Sequence, residues 1–337
     1  MVISTLISNQ IIQPPFINNN RTLNLQLLRV QPKEKVVVVM GATGTGKSRL
    51  SLEIATRFPA EIINSDKIQA YKGLNTTTNK LTHEEMNNVP HHLLGVLDHD
   101  QDFTPSDFRH MATLATESIT SRGLLPIIAG GSNSYIEALL DENNHEFHSM
   151  YECCFLWVDV STRVLHSFVS DRVDRMVEKG MVDEVRKIFD YENHDYTRGI
   201  RKAIGVPEFD SYFRRSMELG LSGEETCSKL LLKEAIEKVK GNTRKLSCRQ
   251  LDKIYRLKDK KGWKLHRLDA TRVFELQGEG TEEEAWERHV ARPSMAILRR
   301  FLFDHDRHPN NNMFYEKGPA TVRQIKSMEA AVATAAH

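Results

Sequence analysis

The chain has 337 residues, 40% of them hydrophobic and 27% charged, with a formal net charge of +1. That balance is ordinary for a water-soluble globular chain and argues against a general nucleic-acid binder, which usually carries a strong basic excess. The four cysteines, Cys153, Cys154, Cys227 and Cys248, show no CxxC spacing, so neither a disulfide framework nor a paired zinc site is expected, and no stretch approaches the roughly 20 apolar residues of a membrane-spanning helix.

Taken in chain order, the first 33 residues contain no Asp or Glu, carry Arg21, Arg29 and Lys33, and are rich in Asn, Ser and Thr. Residues 1–34 therefore read as an organellar transit peptide, with the plastid favoured over the mitochondrion because arginines are few. The β-branched run Val36–Met40 predicts a strand buried on both faces of a parallel sheet. Further strands are expected at Glu61–Asn64, Leu124–Ala129, Phe155–Val160 and Trp263–Leu268. Helices are expected at Ser48–Phe58 and Pro105–Arg122, and this alternation implies a doubly wound α/β sheet. From Thr162 to Phe189 apolar residues recur at helical spacing, with Gly180 separating two helices; a third surrounds Pro207–Leu219 and a long one runs from about Glu224 to Leu257.

The expected organisation is a P-loop NTPase-like parallel sheet flanked by helices (residues 35–160 and 223–303), interrupted by a small helical substrate-binding domain (161–222). One amphipathic helix, Pro293–Phe303, follows a polar stretch after Gln277, and residues 304–337 read as a disordered tail.

GATGTGKS (Gly41, Ala42, Thr43, Gly44, Thr45, Gly46, Lys47, Ser48) matches G-x-x-x-x-G-K-[ST] between a predicted strand and a predicted helix, the context that gives the motif meaning. Its glycines let backbone N–H groups approach phosphate oxygens, Lys47 neutralises phosphate charge, and Ser48 is the expected Mg2+ ligand. In EIINSDKIQAY, Asp66 falls just past the second strand, at the end of the sheet where ligands of open α/β folds bind. It is a candidate general base, with helix capping as the competing role. Gln69 either completes a capping box or holds a substrate base. Asp159, at the end of the Leu156–Asp159 run, keeps a kinase-like use of the P-loop open. Adjacent His91 and His92 point to opposite sides of an extended segment, so hydrogen bonding is favoured over chelation.

The motifs GATGTGKS, NSDKIQAYKG, VPHHLLG, AGGSNSYIEALL, DRVDRMVEKGMVDEVR, GIRKAIGVPEF and NTRKLSCRQL, in this order, resemble the isopentenyltransferases. That family comprises tRNA dimethylallyltransferases and the adenylate isopentenyltransferases of cytokinin synthesis, and the chain is most similar to the plant adenylate type. The resemblance implies that the P-loop holds the diphosphate of dimethylallyl diphosphate as a leaving group, that Asp66 is the base for adenine N6, and that Thr43 touches the bridging oxygen. It also implies that Arg249, on a helical stripe with Lys238, Asn242 and Lys245, faces the diphosphate. Arg172 is a candidate clamp for phosphate or nucleotide, and Lys245 for the nucleotide phosphates. Ser65, Gln69, Asn133 and Ser134 are expected along the adenine pocket.

The near-neutral charge, the charge-balanced insertion and the lack of a C-terminal Cys/His finger favour a free nucleotide over tRNA. The plant resemblance implies ATP or ADP over AMP. A monomer in the plastid stroma is expected, with the cytoplasm as the alternative compartment.

Overall fold

The computed structural model describes residues 33–140, 145–218 and 225–303. The expected transit peptide, apart from its last two positions, and the expected tail lie outside the described residues.

Six parallel strands form one sheet: β1 (Glu34–Met40), β2 (Ala60–Asn64), β3 (His91–His92), β4 (Leu125–Ala129), β5 (Tyr151–Asp159) and β6 (Leu265–Asp269), in the order β3-β2-β4-β1-β5-β6. The P-loop NTPase-like parallel architecture expected from the strand–helix alternation is present. β1 shows why its sequence is an unbroken apolar run. Val36, Val38 and Met40 enter the core on one face of the sheet, and Val37 and Val39 enter the core on the other, so none of these five positions faces water, and only the leading Glu34 and Lys35 reach solvent. Burying an aliphatic side chain of this size contributes about 1.5–3 kcal/mol, which explains why the doubly covered stretch Val36–Met40 is wholly apolar.

Helices cover both faces. α1 (Lys47–Arg57) follows the P-loop, and α2 (Pro105–Ser121) opens with a Thr104–Asp107 capping box and Pro105 at its first turn. α3 (Asn133–Leu139) and α4 (His145–Met150) lie between β4 and β5. α5 (Thr162–Glu178) and α6 (Met181–Arg186) are separated at Gly180, which takes a left-handed φ of 90°. A 3-10 turn at Pro207–Phe209 leads into α7 (Asp210–Glu218). The 37-residue α8 (Glu225–Lys261) packs on α5 and α7 and returns the chain to the edge strand β6. α9 (Thr271–Glu275), α10 (Glu282–Trp286) and α11 (Arg292–Phe303) follow, the last two joined by a π-helical turn at Glu287–Ala291.

Four of these helices were not anticipated, α3, α4, α9 and α10. α3, α4 and α9 are short, and α10 sits in a stretch whose acidic residues mask its buried Ala285 and Trp286. β3 is only two residues long. It is fixed by Glu61, which accepts from Arg122 at 2.7 Å and meets His92 Nε2 at 2.7 Å. α8 is tied to α3 through Glu137, which pairs with Lys253, Arg256 and Lys261. Burial alone would raise the Glu137 carboxyl, but these three cations outweigh it and hold it at about 2.

The sheet order places β4 between β1 and β2, so the segment following β4 lies between those following β1 and β2. That segment is Gly130–Gly131. A Cβ on Gly130 would come within 2.5 Å of the Ser65 carbonyl carbon and of the Asp66 backbone nitrogen, and neither backbone atom has room to yield. Gly130→Ala is expected to cost about 1–3 kcal/mol through overpacking. For a chain of this size that lowers Tm by roughly 3–10 °C, measurable by differential scanning calorimetry; an unchanged Tm would contradict the close approach.

Candidate active site

The P-loop, the β2–β3 connection, α5 and α8 enclose a cavity of about 760 Å³ at the C-terminal ends of the strands. The loop is braced from within. Thr45, buried, donates its hydroxyl to the Ala42 carbonyl at 3.0 Å, and Lys47 Nζ donates to the same carbonyl at 2.7 Å. Gly41 and Ala42 are buried at the base, and Gly46, with φ of 95°, caps α1. Gly44 lies under Val169 of α5, and Gly46 lies under the Trp286 ring, each so close that an added Cβ would come within 2.8 Å. Trp286 is itself held by Glu53, to which its indole N–H donates at 2.8 Å, and by the Arg49 guanidinium stacked on its ring. Ser48 is exposed at the cavity wall.

Asp66 reaches the same cavity from the end of β2. No helix follows it: residues 67–70 form a turn, and Asp66 Oδ1 accepts from the Ile68 N–H at 3.0 Å in an Asx turn. Its backbone N–H donates to Asn64 Oδ1 at 3.0 Å, and Asn64 Nδ2 donates to the Leu93 carbonyl at 2.9 Å. The capping alternative is thus replaced by a two-residue brace that leaves Oδ2 beside Gly131. Gln69 spans the cavity wall, its Nε2 donating to the carbonyls of Thr78 (3.0 Å) and Asn79 (3.1 Å). The same wall is gripped from the other side by Glu184 of α6, which accepts from Thr76 N, Thr77 N and the Thr77 hydroxyl.

Two cations face Asp66. Burial pushes Lys47 down to about 8, with Asp66 opposing that shift and Arg172 adding to it. Arg172, on α5, is likewise lowered by burial, to about 10. Its Nη2 donates to the Thr43 hydroxyl at 3.0 Å, while its buried Nε has no hydrogen-bond partner among the described residues. An unpaired guanidinium N–H beside a second half-buried cation is the arrangement an anionic ligand completes. Arg249 and Lys245 of α8 add exposed positive charge to the cavity, and Asn242 joins them while donating to Glu208 at 2.7 Å. Lys238, one turn further, is exposed and does not line the cavity.

Three of the residues expected along the adenine pocket do not line this cavity. Ser65 is buried behind Gly130, its hydroxyl without a partner. Asn133 is 2% exposed and donates its Nδ2 to the Gln250 carbonyl at 3.0 Å. Ser134 is exposed, and none of the three lines the cavity. The reason is geometric: α3 begins immediately after the glycines, so its first residues turn away from the cavity and brace α8. His91 lines the cavity with Nδ1 held at 2.8 Å from the Val89 carbonyl, whereas His92 turns to Glu61. Asp159 is occupied by Arg267, whose Nε donates to it at 2.7 Å, and it does not line the cavity. Burial raises the Asp159 carboxyl, against the pull of Arg267.

No cluster of three or more His, Cys, Asp or Glu that would hold a metal by itself occurs among the described residues. Mg2+ ordinarily takes only one or two protein oxygens and completes its shell with water and substrate phosphates. The exposed Ser48 hydroxyl at the head of α1 fits that requirement.

A profile of the IPP transferase family matches residues 69–150 and 141–254. Adenylate isopentenyltransferase 3, chloroplastic, of Arabidopsis thaliana is 57% identical over 274 residues, covering 81% of this chain and 80% of the relative. Adenylate isopentenyltransferase 7, mitochondrial, of the same plant is 49% identical, covering 84% and 85%. Among solved structures, a eukaryotic dimethylallyltransferase acting on tRNA superposes with a TM-score of 0.67 at 23% identity, covering 81% of this chain and 80% of that one; the likeness is one of fold. With a family profile spanning more than half its length and relatives this similar over four-fifths of it, the chain belongs to the IPP transferase family.

Proposed function

We propose that the protein transfers the dimethylallyl group of dimethylallyl diphosphate to N6 of an adenine nucleotide, ATP or ADP in preference to AMP. The observation that carries this reading is the meeting, in one cavity, of the P-loop Lys47 and the α5 Arg172, both half-buried, with a carboxylate that has an oxygen to spare. The relatives named adenylate isopentenyltransferase support the same acceptor class.

In this mechanism Lys47, the P-loop amides and Arg172 hold the donor's diphosphate, and Arg249 approaches it from α8. Thr43 receives a hydrogen bond from Arg172 at its oxygen, so its own hydrogen is directed outward to the bridging oxygen of the donor. The N6 amine attacks the allylic carbon, the carbon–oxygen bond breaks, and diphosphate leaves with the bonding pair. Asp66 takes the N6 proton. Mg2+ held at Ser48 would neutralise charge on the departing diphosphate. Lys245 faces the nucleotide phosphates, and Gln69 keeps the wall beside the adenine in place.

A kinase use of the P-loop is disfavoured because Asp159, the carboxylate such a reading requires, is committed to Arg267. Transfer to tRNA is the second reading, favoured by the fold shared with the tRNA enzyme. We place the protein in a plastid, supported by relatives named chloroplastic, although one is named mitochondrial; the cytoplasm is the alternative. It is proposed to act as a monomer.

An acceptor panel of AMP, ADP, ATP and an unmodified tRNA anticodon stem-loop, each with dimethylallyl diphosphate and Mg2+, tests the reading. Prenylated ADP or ATP with release of diphosphate is expected. Turnover of the stem-loop alone would overturn it in favour of tRNA, and formation of ADP from ATP without prenylated product would indicate a kinase. Asp66→Asn is expected to lower kcat on the order of 10²–10⁴-fold while nucleotide binding by calorimetry stays near wild type; retained turnover would remove Asp66 from the base role. Lys47 is protonated below its value of about 8 and must be protonated to bind an anion. Donor affinity is therefore expected to be greatest below that pH and to fall as pH rises through it, a dependence that Lys47→Met abolishes. A wild-type affinity flat across this range would contradict the assignment.

A further inference from the structure

Gln250 was not among the residues expected at the site, yet it touches both of its halves. It lies on α8 next to Arg249, is 8% exposed, and does not line the cavity. Its Oε1 accepts from the Thr43 backbone N–H at 2.7 Å, and its Nε2 donates to the Gly131 carbonyl at 3.0 Å. Its own backbone carbonyl is fixed by Asn133 Nδ2. Nε2 stands so close to Gly131 that a Cβ there would come within 2.4 Å of it, while the same Cβ would lie 3.4 Å from Asp66 Oδ2.

The geometry assigns Gln250 as a positioning residue that sets the separation between the leaving-group side of the site, at Thr43, and the base side, at Asp66. This rests on the prenyl-transfer reading above. The amide suits the task because it offers one acceptor and one donor at a fixed spacing. The acceptor draws the Thr43 N–H inward and away from the phosphates, turning that residue so that its hydroxyl meets Arg172. The donor pins the glycine segment against which Asp66 rests. A side chain without both groups leaves a buried N–H or C=O unpaired, and the two halves lose their common reference. Misplacement of reacting groups by about 1 Å costs on the order of 10²-fold in rate, so the effect belongs in kcat.

Two variants of the full-length protein test this, assayed for prenyl transfer from dimethylallyl diphosphate to the nucleotide that the wild type uses. Gln250→Met keeps the length of the side chain and loses both polar groups; kcat is expected to fall roughly 10–100-fold at every pH. Gln250→Glu retains an acceptor for Thr43 but, when ionised, opposes the Gly131 carbonyl. When protonated, it accepts from Thr43 and donates to Gly131, as the amide does. The ratio of its kcat to that of the wild type is therefore expected to rise as pH falls, while the ratio for Gln250→Met stays low and flat. Taking the ratio at each pH removes the pH dependence that variant and wild type share. A flat ratio for Gln250→Glu, or wild-type kcat in Gln250→Met, overturns the assignment. Should Gln250→Met fail to fold, the pH ratio of Gln250→Glu decides alone. A wild type that prenylates no nucleotide would instead refute the proposed function, so the two failures are distinct.

Discussion

β4 lies between β1 and β2, so anything that follows β4 is wedged between the phosphate loop and the carboxylate of Asp66. Neighbouring strands are spaced by about 4.8 Å, so two loops two strands apart meet over the middle one only if it carries almost no volume. Gly130 and Gly131 satisfy that limit, and the Cβ distances at both show no slack. The cavity, the reach of Asp66 and the place of Gln250 all follow from it. The strand that carries none of the candidate catalytic side chains thus determines how the two that do are brought together.

The second constraint is electrostatic. Burial lowers both Lys47 and Arg172, with Arg172 adding to the shift of Lys47 and Arg175 to that of Arg172, while Asp66 opposes both shifts. An anion at the loop relieves both. Such a site suits the diphosphate leaving group of the proposed reaction, with positive charge set in place before the donor arrives, where charge would develop during the reaction. The supports are distributed around the loop: Val169 over Gly44, Trp286 over Gly46, and Gln250 on the Thr43 amide. The C-terminal helices accordingly serve the phosphate loop, although they are remote from it in the chain.

Much of this was legible from the residues in order. The β-branched run of β1, the glycine-rich loop, the αL break at Gly180 and the position of Asp66 past a strand each depend on local backbone preferences and short spacings. The opposed directions of His91 and His92 followed from the two-residue period of extended chain and hold in the structure. The stripe Asn242, Lys245 and Arg249 likewise reflected helical period, although Lys238 falls off the cavity because α8 runs past its edge. Ser65, Asn133 and Ser134 do not line the cavity, since proximity in sequence to a glycine turn does not say which way the next helix leaves it. Trp286 and Gln250 had no local signal at all.

The sequence by itself determined the phosphate loop, the candidate base, the parallel sheet and, through its linked motifs, the family. These are encoded within single segments, where periodicity and turn chemistry act over a few residues. Only the tertiary structure decided that Asp159 is committed to Arg267, that Asn133 braces α8, and that Gln250 ties Thr43 to Gly131. Each of those contacts joins residues more than a hundred positions apart, and no local preference specifies which distant partner a buried polar group will meet.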